Sequence, residues 1–355
     1  MAPRESLMGE EVMRKTSLCL SILAAAALFG YGTKSAAADE TVTLRVGDSF
    51  PAGHYVVALI HKWMDNVSHR TNGKVKFEYY GAEQLGKARD MLDLTLSGVS
   101  DVSYVAPSYV TEKLPMSSIG ELPGEFSDSC TGTRAYWKIA RPGGLLSQKE
   151  LEPKGIRLLF TVLGAPYQIT AHKKFASPGD VAGFKLRSYG AQQDRAVSLI
   201  GGVPIRMAAP SMYESMSRGT LDGLMLPLAS VLSYDLQDLV RYATTNENFG
   251  SVAFNYVISE RKFKSLPPDV QDALMAAGND SVEAACKFID EDTKAAVEKL
   301  KSAGVSFVDF TPEQEAKVKA DLLTIAPIWA ADLDKRGMPG TEILDAFKTA
   351  LKSAH

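Results

Sequence analysis

Strands and helices alternate along this chain, and that order constrains its fold more than any other feature. Residues 42–47 alternate apolar and polar as a first strand. A helix over about 54–68 follows, its apolar stripe carried by Val56, Leu59, Ile60, Trp63 and Val67. Asn72-Gly73 marks a turn, 74–80 alternates as a second strand, 86–97 reads as helix and 101–105 as a third strand. The order repeats with strands at 156–162, 168–172 and 185–187, then a helix and a further strand. Such alternation predicts an α/β fold with mainly parallel sheets covered on both faces. Leu266-Pro267-Pro268-Asp269 then opens a helical region to about residue 303, a rod of about 50 Å at 1.5 Å per residue, with Gly278-Asn279 expected to bend it. Thr311-Pro312-Glu313-Gln314 has the form of a capping box and starts another helix. With 355 residues and no linker-like tract, the chain is expected to form two lobes joined by several crossings.

Residues 13–38 have the three parts of a secretory signal: Arg14-Lys15, an apolar run over 18–29, and Ala36-Ala37-Ala38 before Asp39. The apolar run is shorter than the roughly 20 residues a membrane span needs, so cleavage after residue 38 and a periplasmic destination are expected. A net charge of −3 gives no basic surface for nucleic acid. Cys130 and Cys286 remain after cleavage. An oxidising compartment permits pairing, but Ala284 and Ala285 beside Cys286 favour two unpaired, buried thiols. The five histidines lack ligand spacing, and neither a metal nor another cofactor is indicated.

No nucleophile elbow, zinc-protease helix, phosphate loop or dinucleotide turn occurs, so no catalytic residues are assigned. The segment 177–190 is more informative. Ser177 caps a turn, Pro178 fits its first position, Asp180 its third, and Gly183 closes it. The short strand that follows ends in Arg187. In an exported α/β chain without catalytic motifs, a guanidinium placed in this way suggests capture of a carboxylate.

The chain resembles the DctP-type solute-binding proteins of TRAP (tripartite ATP-independent periplasmic) transporters over nearly all of its length after residue 38. His54 falls at the family's early histidine, and Gln84-Leu85-Gly86 matches its Q-L-G. Glu121-Leu122-Pro123 matches its L-P segment. Ser177-Pro178-Gly179-Asp180 with Gly183-Phe184-Lys185-Leu186-Arg187 resembles P-x-D-L-x-G-L-K-I-R. Tyr213 through Gly219-Thr220-Leu221-Asp222-Gly223 resembles Y-x-A-L-x-x-G-x-x-D-G, and Phe263 with Ser265-Leu266-Pro267 fits the entry to a long helix spanning both lobes. The resemblance implies a two-lobed periplasmic binding protein fold. Lobe I would comprise 39–163 with a return near 250–285, and lobe II 164–249, with helices over 286–355 packing across both. It further implies a small organic acid gripped by Arg187 as the lobes close, and delivery to TRAP membrane subunits.

Two departures bear on the ligand. Tyr167 stands where members that bind polar acids often have a second arginine, and Leu224-Met225-Leu226-Pro227 replaces an E/Q-N-P whose asparagine lines the site. A second carboxylate buried without a partner would cost several kcal/mol. The expected ligand is therefore a monocarboxylate with an apolar or aromatic body, held by Arg187, Tyr167 and Leu226. Tyr104, His54, Asn248 and Phe249 are further candidates: Tyr104, with Tyr109, ends the third strand, where open α/β sheets place ligands. A ligand sensor docking on a receptor and a periplasmic enzyme on a bilobal scaffold are the rival readings.

Overall fold

The computed structural model describes residues 41–354, so the export segment read at 1–38 lies outside the described residues. Among the latter are eleven strands. In chain order these are β1 (Val42–Gly47), β2 (Val75–Tyr80), β3 (Val102–Val105), β4 (Ile156–Leu163), β5 (Gln168–Ala171) and β6 (Lys185–Ser188). There follow β7 (Val203–Arg206), β8 (Gly223–Leu226), β9 (Tyr242–Ala243), β10 (Ala253–Ser259) and β11 (Ser306–Phe307). They form a five-stranded sheet of order β2-β1-β3-β10-β4 and a six-stranded sheet of order β11-β9-β5-β8-β6-β7.

The expectation of mainly parallel sheets needs correction, because both are mixed. β10 runs antiparallel to β3 and β4, between which it inserts, and β5 runs antiparallel to β8 and β9. The antiparallel pairings belong to strands that carry the chain between sheets. β4 leads out of the first sheet into β5 of the second, and β10 is the returning strand. The two crossings hydrogen-bond to each other. Gly164 N–H donates to Val252 O at 2.8 Å, Tyr167 N–H to Gly250 O at 2.8 Å, and Phe249 N–H to Tyr167 O at 3.1 Å. Gln168 adds a buried side-chain tie, its Nε2 donating to Glu247 O at 2.6 Å and its Oε1 accepting from Thr244 Oγ1 at 2.8 Å.

The first helix, Tyr55–Arg70, buries all five residues of the stripe seen in the sequence. The long helix is Pro268–Ser302, 35 residues. It packs on β4 of the first sheet, on helices Tyr55–Arg70 and Ser129–Ala140, and on Leu228–Ser233, the helix that follows β8 of the second sheet. It continues through Gly278, where a bend was expected. A Cβ at that position would stand 2.0 Å from Leu159 O, so glycine lets the helix lie directly against β4. No helix of the described residues is long and apolar enough to cross a membrane.

The expectation of two free thiols is also corrected: Cys130 and Cys286 form a disulfide. Sequence spacing concealed it, because 156 positions separate the two. Packing brings them together, since Cys130 stands in the first turn of Ser129–Ala140 where that helix abuts the long one. The joint is reinforced by Asp290, which accepts the Ser129 and Cys130 N–H groups at 2.8 and 3.2 Å. Arg134 donates from Nε and Nη2 to the two carboxylate oxygens of Glu283 at 3.0 and 2.6 Å.

Candidate functional site

Local sequence places Arg187 in three steps. Pro178–Val181 forms a single 3-10 turn whose start is held by Asp180, accepting the Ala176 and Ser177 N–H groups at 2.9 Å each. Gly183 turns the chain at φ +75°, in the left-handed region glycine adopts freely. β6 then begins at Lys185, whose N–H donates to Asp222 Oδ2 at 2.8 Å, while Lys173 pairs with the other oxygen at 2.7 Å. The neighbouring Gly223 is obligatory, because a Cβ there would stand 2.5 Å from Thr170 O. The Asp222-Gly223 motif therefore acts through the strands: it registers β8 between β5 and β6 and so fixes the strand that carries the arginine.

Arg187 is only 1% exposed. Its Nε donates to Met207 O at 3.2 Å, Nη1 to Met225 O at 3.4 Å and Nη2 to the Tyr109 hydroxyl at 3.4 Å. Its guanidinium carbon lies 5.2 Å from the centre of the Tyr189 ring. These contacts are long, and among the described residues Arg187 forms no ion pair with a carboxylate. A guanidinium stays protonated, so this is a buried cation with neutral neighbours only.

The guanidinium faces a small cavity of about 20 Å³, roughly the volume of one water molecule. Five of the seven expected residues line it: Arg187, Tyr167, Leu226, Tyr104 and His54. Asn248 and Phe249, also expected at the site, do not line it. The Asn248 amide is committed to the crossing, donating to Phe126 O and accepting the Gly250 N–H at 2.9 Å, and it lines a separate cleft of about 970 Å³. Phe249 is wholly buried as core.

Several lining residues were not singled out from the sequence. Phe50, Tyr234 and Phe254 supply rings, and Ser49 and Ser230 hydroxyls. Tyr109, weighed with Tyr104 as a ligand contact after the third strand, lies between parts of the chain on the two sheets: its hydroxyl accepts the Ala209 N–H at 3.0 Å as well as the arginine. Strand-end position was the available signal for Phe50, just past β1, and for Phe254, near the start of β10. Nothing local marked Tyr234, which follows the short helix Leu228–Ser233.

The rings form a box. Phe50 lies 4.5 Å from both His54 and Tyr104 between centroids and 5.7 Å from Phe254, and His54 meets the edge of Tyr234 at 5.0 Å. Asp48 fixes the loop carrying Phe50, accepting the Phe50 N–H at 3.0 Å and the Tyr79 hydroxyl at 2.6 Å. Burial nevertheless raises the Asp48 carboxyl to about 6. His54 caps the first helix, its Nδ1 accepting the Val56 N–H at 3.2 Å. Burial lowers its pKa to about 3, so it is neutral at physiological pH. Among the described residues that line the cavity, Arg187 is thus the single charged group.

Two α/β sheets joined by paired crossings, with one buried arginine in an aromatic cavity and elements of both sheets in its wall, define a bilobal solute-binding protein. Comparison with known proteins specifies which kind. The profile of the bacterial extracellular solute-binding protein family 7 (DctP) matches residues 46–331, and the chain belongs to that family. A solute-binding protein of Albidiferax ferrireducens is 26% identical over 286 residues, 78% of this chain and 83% of the relative. The C4-dicarboxylate-binding periplasmic protein DctP of Rhodobacter capsulatus is 26% identical over 69% of this chain and 74% of its own. Among solved structures, a TRAP solute-binding protein of Rhodoferax ferrireducens, with copurified benzoate, superposes with TM-score 0.81 at 22% identity over 88% of this chain and 98% of that one. A marine metagenome TRAP solute-binding protein specific for aromatic acid ligands, with 3-hydroxybenzoate, gives TM-score 0.82 at 21% identity over 89% and 99%. The chain is thus a TRAP-type solute-binding protein, of a family that is extracellular or periplasmic.

Proposed function

We propose that this protein captures a monocarboxylate with an aromatic body and delivers it to the membrane component of a TRAP transporter. The observation that carries this reading is the buried Arg187, without a carboxylate partner, in a cavity otherwise lined by rings and neutral groups. A ligand carboxylate meets the planar guanidinium bidentately, and exclusion of water strengthens the pair. The other described lining residues offer stacking surface and no second cation. A dicarboxylate would leave one charge unpaired at a cost of several kcal/mol. The bound benzoate and 3-hydroxybenzoate of the two structural neighbours support the same ligand class.

Entry requires motion, because about 20 Å³ holds no ring-bearing acid. We assign it to rotation of lobe I (39–163 with the return near 250–285) against lobe II (164–249) about the paired crossings. Tyr109 on one side and Arg187 with Ala209 on the other would part as the cleft opens. Ligand then shifts the population toward the closed form by contacts made only there.

The test is a thermal-shift and titration panel on ligand-stripped protein from residue 39 onward. Benzoate and phenylacetate at about 100 times their dissociation constants should stabilise by roughly 2.7 kcal/mol, with succinate at least tenfold weaker. Arg187→Met should abolish the shift without lowering the unliganded melting temperature, since it removes an uncompensated buried charge. Equal affinity for succinate and benzoate would contradict the ligand class.

A further inference from the structure

The aromatic walls carry polar groups besides Arg187. The Tyr234 hydroxyl is buried in the described structure with no hydrogen-bond partner, although Tyr234 lines the cavity. A buried hydroxyl left in this way is costly, and in native proteins such groups are usually satisfied. Its ring meets His54 at 5.0 Å and 64°. His54 is constrained by its capping role. Nδ1 accepts the Val56 N–H, so the neutral ring carries its proton on Nε2 and presents a donor. No acceptor for that donor occurs among the described residues. His54 and Tyr234, whose rings adjoin, both line the cavity, and among the described residues the imidazole N–H and the phenol hydroxyl have no hydrogen-bond partner.

We infer that His54 and Tyr234 read a neutral oxygen, a hydroxyl above all, on the body of the ligand. This inference rests on the proposed ligand class and narrows it to hydroxylated aromatic monocarboxylates. A hydroxyl oxygen accepts from His54 Nε2–H while its proton goes to the Tyr234 oxygen, so one ligand group satisfies both side chains. A methyl group satisfies neither. A second carboxylate would bring a buried charge for which the described lining residues supply no cation beyond Arg187. A site built to bond a substrate hydroxyl discriminates strongly against the analogue lacking it, because its own polar groups are then left unpaired.

Calorimetric titration of the ligand-stripped protein with benzoate, 3-methylbenzoate, 3-hydroxybenzoate, 4-hydroxybenzoate and 4-hydroxyphenylacetate tests this. At least one hydroxylated acid should bind roughly tenfold or more tightly than its unsubstituted or methylated counterpart. In Tyr234→Phe, and separately in His54→Asn, which keeps a capping acceptor but removes the Nε2 donor, that ratio should fall toward one. The inference is overturned if wild type binds benzoate as tightly as every hydroxylated acid, or if the preference survives both substitutions. Those results would leave the aromatic monocarboxylate reading standing as long as benzoate still binds through Arg187. Failure of every acid to bind wild type would remove both.

Discussion

Glu121 shows what a single buried group contributes around this site. Its carboxyl accepts from Ser108 N–H at 3.0 Å, from the Ser108 hydroxyl and from Ala253 N–H at 3.1 Å. Burial outweighs these bonds and raises its pKa to about 7. Between pH 4.5 and 7 the folded chain therefore retains a proton that the unfolded chain releases. Stability from this group is full below about pH 4.5 and lost as pH rises through about 7. The shift corresponds to on the order of 3 kcal/mol. His54 acts with the opposite sign between about 3 and 6.5, so a comparison of variants is needed to isolate Glu121. Denaturation curves of wild type and Glu121→Gln should converge at pH 4.5 and separate by pH 8, with wild type the less stable. Parallel curves across that range would contradict this account. The sequence offered Glu121 only as part of a Glu-Leu-Pro segment, because burial depends on Ser108 and Ala253, which are remote in sequence. Arg187 was more legible, since Ser177, Asp180 and Gly183 encode its turn locally.

Elements were legible where one stretch of chain supplies its own signal. The stripe of the first helix, the Thr311 cap and the long helix from Pro268 all have local causes. Strand direction did not, because β10 inserts between β3 and β4 only after the chain has built most of the second sheet. The Cys130–Cys286 bridge is non-local in the same way, joining helix Ser129–Ala140 to the long helix across 156 positions. Cross-links of this kind typically stabilise by roughly 2–4 kcal/mol, mainly by restricting the unfolded chain. Cys130→Ser with Cys286→Ser should lower the denaturation midpoint accordingly while leaving ligand affinity within about twofold, since neither residue lines the cavity. An unchanged midpoint, or a free-thiol titration finding two reactive cysteines in the unfolded, unreduced protein, would contradict the bridge.

At the scale of the whole molecule, the paired crossings 163–168 and 244–253 connect two sheets whose facing parts share one aromatic cavity. The sequence motifs predicted a bilobal binder and a strand-end arginine, which is buried in the cavity wall. Which rings surround that arginine was less legible, because Phe50, Tyr109, Tyr234 and Phe254 are separated by long stretches of chain and converge only in the folded state. Asn248 and Phe249 illustrate the same limit: they are near the site in sequence order but are spent on the crossing and the core. The most direct test of the central claim is a crystal structure of the protein with the acid that titration ranks tightest. The account predicts the ligand carboxylate within about 2.7–2.9 Å of Arg187 guanidinium nitrogens and its ring among Phe50, Tyr104 and Phe254. An acid bound with its carboxylate away from Arg187, or seated instead in the cleft beside Asn248, would contradict it.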